Sequence, residues 1–264
     1  MDQPTIFFAW QSDRPLSFCR RYIRDALDDA VVRIGSELST EDAPRLISDT
    51  TGISGTPSII ETVFSRISRS VLFVGDVTFT GVGERQEPDV RKLFPNPNVL
   101  IELGFAAHVL GWDRVICVMN DYFGDPSSLP FDLRHRRWPI AFRVGPESAT
   151  VGSSSMKKKL ADSLVEAIRS GLMAENERVL VSLRKLDKEA LLCIKGWGAM
   201  DAFNVRSGWF NGMPFGDMEH RGAVRLIDLE LIHCDTAPKE GLYAYHWTPF
   251  GKEVVCCFGY RGPG

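Results

Sequence analysis

Glu102 stands in the middle of the apolar run Val99-Leu100-Ile101-Glu102-Leu103-Gly104-Phe105-Ala106-Ala107, and Asn98 precedes it by four residues. A carboxylate among apolar side chains is costly, so such a group is paired, held protonated or used in chemistry. Residues four apart share a helix face, so the Asn98 amide and the Glu102 carboxylate can serve one site. A glutamate placed at the edge of a cleft can stabilise positive charge on a reacting carbon, attack that carbon, or hold hydroxyl groups. The bland alternative is an ion pair with an arginine such as Arg134 or Arg136.

The element that must carry this pair is a helix. Asn96 is a good N-cap, and Pro97 sits in the first turn, where its missing N–H costs nothing. The positions after Asn98 are nearly all apolar, which predicts a helix buried almost all round.

Upstream, strand-like and helix-like segments alternate. Thr5 to Trp10 reads as a buried first strand, and Pro15 to Ile34 carries apolar residues at helical spacing. Arg45 to Ile47 reads as a second strand. A helix follows, beginning near Thr56-Pro57, with Ser58 and Glu61 spaced as a capping box. Val71 to Val74 is a third strand, 79–95 a polar loop, Arg114 to Met119 a fourth strand and Ile140 to Val144 a fifth. Met156 to Met173 is an amphipathic helix.

Such alternation predicts an α/β fold with a doubly wound parallel sheet, which binds ligands beyond the carboxyl ends of its strands. Polar residues fall there: Gln11, Ser12 and Asp13 after the first strand, Asp49 and Thr50 after the second, Asp76 and Thr78 after the third. Asp49, Thr50 and the Gly/Ser/Thr loop up to Thr56 precede a helix N-terminus, which can hold a diphosphate through backbone N–H groups. Capping and turn chemistry explains the same residue types without a ligand, and is the reading for Pro57 and Ser58.

The composition shifts after residue 174, dividing the chain into 1–174 and 175–264. The second part holds 11 Lys and Arg against 12 Asp and Glu. Two helical patterns, around Leu186 to Ile194 and Met218 to Leu229, precede two strand-like pieces and Thr248-Pro249-Phe250-Gly251. That order resembles a winged helix, a small α+β module. Its near-neutral charge argues for regulation or protein interaction rather than DNA binding, which needs a surplus of Lys and Arg.

The net charge of −3 gives no electrostatic reason to expect nucleic acid or membrane partners. No secretory signal and no run of eighteen apolar residues is visible. Six scattered cysteines without CxxC spacing predict reduced thiols and a cytoplasmic protein. The five histidines lack metal-ligand spacing, so no metal is expected, and no P-loop, GxGxxG or GxSxG motif occurs.

With these residues placed, Phe7-Phe8-Ala9-Trp10-Gln11-Ser12-Asp13 resembles the first strand and loop of TIR (Toll/interleukin-1 receptor-like) domains. Asp76-Val77-Thr78 followed by Asn96-Pro97-Asn98-Val99-Leu100-Ile101-Glu102-Leu103-Gly104 resembles bacterial TIR-like nucleotide-binding proteins, as do Gly55 to Ile59 and Leu129 to Arg137. The likeness extends to nucleoside 2-deoxyribosyltransferases. It implies a flavodoxin-like fold and cleavage of the nicotinamide–ribose bond of NAD+, with Glu102 catalytic, NAD+ as substrate and no separate cofactor. It also implies an antiphage effector that acts once assembled as a homo-oligomer, on a regulatory protein or nucleotide signal. The long loop 79–95 and the C-terminal module depart from simple TIR domains.

Breaking an N-glycosidic bond builds positive charge on the ribose, which a nearby carboxylate stabilises. Under this reading Trp10 stacks on a base, Asp76 binds ribose hydroxyls and Arg134 meets phosphate. Each also has an ordinary structural role: core aromatic, strand-end turn and solvated charge.

Overall fold

Thr5–Ala9 (β1) is a run of apolar residues buried on both faces, as expected of a central strand in a parallel sheet. Alternate side chains then serve two different cores. Ile6 and Phe8 join one layer, while Phe7 and Ala9 join the other. The computed structural model describes residues 3–38, 42–48, 58–83, 92–135, 139–149, 153–200, 202–206, 209–210, 213–214, 217–234 and 242–260. The chain divides into two compact units, Met1–Glu175 and Asn176–Gly264.

In the first unit β1 is followed by Arg20–Gly35 (α1), Arg45–Ile47 (β2), Ile59–Ser68 (α2) and Leu72–Asp76 (β3). Phe79–Gly83 (β4) and Lys92–Pro95 (β5) come next, then Pro97–Val109 (α3) and Val115–Asn120 (β6). Phe131–Arg134 (α4), Ile140–Phe142 (β7) and Ser153–Lys185 (α5) complete the series. The central sheet is parallel throughout, in the order β2-β1-β3-β6-β7. Its register pairs Phe7 with Phe73, Gly75 with Cys117 and Met119 with Ala141. This order is compatible with a flavodoxin-like, doubly wound fold. α1 and the first turns of α5 cover one face through Ile23, Leu27, Leu164 and Ile168. α2 and α3 cover the other through Val63, Ile67, Val99, Leu103 and Ala106.

Four local expectations are corrected. α1 begins at Arg20, because Pro15 to Cys19 form a turn closed by backbone bonds from Phe18 and Cys19 to the Pro15 carbonyl. Ser58 is the N-cap of α2, yet its side chain makes no capping bond, so the capping box is not formed. Within 79–95, expected as a polar loop, β4 and β5 pair as antiparallel strands. The Phe94 ring lies over Gly81, so a side chain at 81 would have to displace that ring. Finally, α3 is not buried all round. Val99, Leu103 and Ala106 face the sheet, while Asn98, Ile101, Gly104 and His108 are exposed.

The helix predicted over 156–173 extends to Lys185. Lys188–Trp197 (α6), Ala202–Arg206 (β8), Trp209–Phe210 (β9), Met213–Pro214 (β10), Asp217–Asp228 (α7), Ile232–Cys234 (β11), Leu242–Trp247 (β12) and Pro249–Cys256 (α8) follow. The second unit is α+β, with an antiparallel sheet in the order β10-β9-β8-β12-β11. Three of its strands, β8 to β10, lie between the helices where the sequence pattern suggested none. Its core joins Cys193, Ile194 and Trp197 to Leu226, Trp247 and Val254. Thr248-Pro249-Phe250-Gly251 has a local reason: Thr248 accepts the Gly251 N–H at 2.9 Å. A side chain at 251 would collide with the Leu231 carbonyl. The six cysteines are all free, and no described helix is long and apolar enough to cross a membrane.

Candidate active site

The first two turns of α2 and of α3 enclose a groove of about 280 Å³ lined by Ile59, Ile60, Val63, Phe64, Asn98, Ile101 and Glu102. α2 lies in the crossover from β2 to β3, and α3, after the β4–β5 pair, in that from β3 to β6, so their N-terminal turns lie at the carboxyl rim of the parallel sheet. The helices are joined by Phe64 and Phe105, whose rings stack at 4.2 Å. The sheet-facing stripe of α3 leaves Asn98, Ile101 and Glu102 to turn toward α2.

Glu102 is half-buried, and burial alone pushes its carboxyl up to about 7. Among the described residues its carboxylate has no hydrogen-bond or ion-pair partner. Arg134 is exposed at the end of α4, does not line the groove and makes no pair with Glu102. Arg136, the other proposed partner, lies outside the described residues, as do Asp49, Thr50 and Gly52 to Pro57. Apolar side chains around the carboxylate are open to solvent: Ile59 is 71%, Ile60 55% and Ile101 55% exposed. A carboxylate with a near-neutral pKa, lodged in an open apolar groove, can accept or give a proton or face a cationic carbon.

The strand-end residues are organised differently. Asp76 and Thr78 are fully buried, and Gln11 nearly so. Asp76 Oδ2 accepts from Gln11 Nε2 at 3.2 Å and its Oδ1 accepts from the Thr78 N–H at 3.1 Å. Thr78 Oγ1 accepts the Asn120 N–H at 2.9 Å. The Asn120 side chain donates to the Val144 and Phe18 carbonyls. Burial raises the Asp76 carboxyl to about 6 against the opposing effect of these donors. Gln11, Asp76 and Thr78, expected to bind substrate, thus spend these polar atoms on one another and on Asn120. Their polar atoms point inward and tie together the ends of β1, β3 and β6. The neighbouring Cys19 thiol is pushed up to about 12, chiefly by burial and next by the Asp76 charge, which leaves it inert.

Trp10 packs against the α1 layer, and the Arg20 guanidinium lies 3.3 Å over its ring, so one face is taken. Ser12 is exposed. Asp13 is exposed as well and accepts from Asn96 Nδ2 at 2.6 Å. The structure thus brings Asn98 and Glu102 into one groove and leaves Trp10, Gln11, Ser12, Asp13, Asp76, Thr78 and Arg134 out of its lining. Sequence reasoning missed the groove-lining role of Ile59, Ile60 and Ile101 and the bridging role of Asn120. Ile59 and Ile60 carried a readable signal, because adjacent isoleucines at a helix start cannot both face the core. Among the described residues no group of three or more His, Cys, Asp or Glu could hold a metal ion.

Fold and groove together define an open α/β domain with, among the described residues, one ionisable side chain in an apolar cleft at the sheet's carboxyl rim. No family model matches the chain, and no curated protein matches it.

Proposed function

We propose that the first unit is a TIR-like N-glycosidase that hydrolyses the nicotinamide–ribose bond of NAD+. The observation that carries this reading is the unpartnered Glu102 carboxylate, the one ionisable group among the described residues of the α2–α3 groove. As the C1′–N bond breaks, its electron pair leaves with nicotinamide and positive charge builds on the ribose. Glu102 stabilises that charge, and water then adds to C1′ with loss of a proton. The isoleucine and phenylalanine side chains of the groove offer apolar contact to the departing heterocycle. Asn98 supplies an amide for a ribose hydroxyl.

A second reading, cleavage of a neutral nucleoside as in the deoxyribosyltransferases, has its own support. The described residues that line the groove include no Lys or Arg, a lining that suits a neutral substrate. The second unit, read as a winged-helix-like module, would regulate the first rather than bind DNA. In this proposal the protein is a cytoplasmic antiphage effector restrained until it assembles. Specific activity then rises with protein concentration, or on adding a partner or nucleotide signal.

The deciding experiment incubates the whole chain with NAD+, deoxynucleosides and nucleoside monophosphates at low and high protein concentration and resolves the products by chromatography. Glu102-dependent release of nicotinamide supports the first reading, and release of a free base from nucleosides the second. No cleavage at any concentration leaves a non-catalytic nucleotide-sensing scaffold.

A further inference from the structure

The Glu102 carboxylate has no polar partner among the described residues to fix its position, so its place in the groove depends on where α3 itself is held. α3 begins at Pro97, which has no N–H to offer, so the first amides needing an acceptor are those of Asn98 and Val99. Both donate to Oδ1 of the N-cap Asn96, at 2.8 and 3.3 Å. The other end of the same amide donates from Nδ2 to Asp13 Oδ2 at 2.6 Å. A carboxylate only accepts, so Asp13 fixes which way the Asn96 amide faces. With Nδ2 on Asp13, the oxygen must face the helix.

Asp13 is itself on a fastened segment. On one side of it Gln11 is bonded to Asp76 and accepts the Arg14 N–H at 2.8 Å. On the other side Arg14 donates from Nε to the Phe79 carbonyl at 2.7 Å, and its guanidinium lies over the Phe123 ring. The negative charge of Asp13 also lies near the positive end of the α3 dipole. Glu102 follows Asn96 by six residues, about 9 Å along the axis.

We infer that Asp13 and Asn96 form a positioning pair that hangs the first turn of α3 from the β1 exit and so sets Asn98 and Glu102 for the reaction in the groove. Asp13 lines no part of the groove and acts through Asn96. This inference rests on the catalytic reading of Glu102. It gives the exposed Asp13 a role that neither direct substrate contact nor simple solvation describes.

The test compares Asp13→Ala, Asp13→Asn, Asn96→Asp and the double variant Asp13→Ala/Asn96→Asp in the whole chain. Measured are kcat and KM on the substrate cleaved in a Glu102-dependent way, Tm, and hydrogen exchange at the Asn98 and Val99 amides. Asp13→Ala should lower kcat roughly tenfold per folded molecule, with KM nearly unchanged, because misplacement of the reacting group costs rate rather than binding. Asp13→Asn should restore the rate, since its amide oxygen accepts the same bond. Asn96→Asp should be worse than Asp13→Ala, because it sets two carboxylates against each other. The double variant should recover part of that loss, since Asp caps well once its neighbour is gone.

A loss of Tm with kcat intact in Asp13→Ala would overturn the inference, and so would a double variant no better than Asn96→Asp. If Glu102→Gln retains full turnover, the catalytic reading fails and this inference fails with it. Amide exchange still decides the brace separately: faster exchange at Asn98 and Val99 in Asp13→Ala supports it, and unchanged exchange removes it.

Discussion

Two carboxylates near the same rim are both raised by burial, Asp76 to about 6 and Glu102 to about 7, yet their surroundings differ. Asp76 is sealed from solvent and receives the Gln11 amide and the Thr78 N–H. Glu102 opens onto a groove and, among the described residues, receives nothing. A buried acid whose lone pairs are used by the fold is part of the frame. A half-buried acid whose lone pairs are unused keeps them for a ligand. Hydrogen-bond satisfaction separates the two where pKa does not, because desolvation acts on both alike.

The sharpest way to break this comparison is to neutralise each acid in turn. Glu102→Gln keeps the shape of the side chain and should lower kcat by about a thousandfold, the scale of a lost charge-stabilising or proton-transferring group. A well-folded Glu102→Gln protein that still cleaves NAD+ or nucleosides would remove this residue from the mechanism. Asp76→Ala should do the reverse. It strands the Gln11 amide and the Thr78 N–H without acceptors, costing about 2 kcal/mol, or roughly 6 °C in Tm. Circular dichroism melts at pH 7.5 beside kcat per folded molecule check this. A loss of substrate affinity without a fall in Tm would return Asp76 to the site.

A smaller effect concerns pH. If Glu102 works as a carboxylate, kcat should fall about tenfold for each unit that pH drops below about 7, the value its burial sets. A rate that instead falls above that pH would make Glu102 the proton donor.

The smallest effect is on stability. The native protein holds a proton on Glu102 that the unfolded chain releases between its ordinary value of 4.5 and about 7. Stability from this group is therefore full below 4.5, declines as pH rises through that window and is constant above it. Glu102→Gln removes the decline. It should match the parent at pH 4 and exceed it by about 1 kcal/mol at pH 8, the shift being discounted for partial solvent screening. Equal melting temperatures of parent and variant at pH 8 would show that the groove does not desolvate the acid.

Much of the first unit is written locally. β1 is Ile-Phe-Phe-Ala between polar ends, α3 has Asn96-Pro97 as its start, and both descriptions agree with the structure because strand burial and capping are short-range. The pairing of β4 with β5 was not legible. Its strands are short, contain two glycines and pair with a register shift between Phe79 and Gly81, so no clean period of two appears. Strands β8 to β10 escaped for a similar reason: two of them are only two residues long.

The candidate site divides along the same line. Sequence by itself placed Glu102 and Asn98 on one helix face, because helical spacing is a local property. It also marked Gln11, Asp13, Asp76 and Thr78 as rim residues, because strand ends are readable from where apolar runs stop. Which of these opens onto the groove was decided only by the tertiary structure. Inward or outward aim depends on partners distant in the chain: Gln11 meets Asp76 across 65 residues, Thr78 meets Asn120 across 42, and Asp13 meets Asn96 across 83. The groove walls were decided the same way. Ile59 and Ile60 join Ile101 only when α2 and α3 pack side by side, and that packing leaves between them a carboxylate unpaired among the described residues.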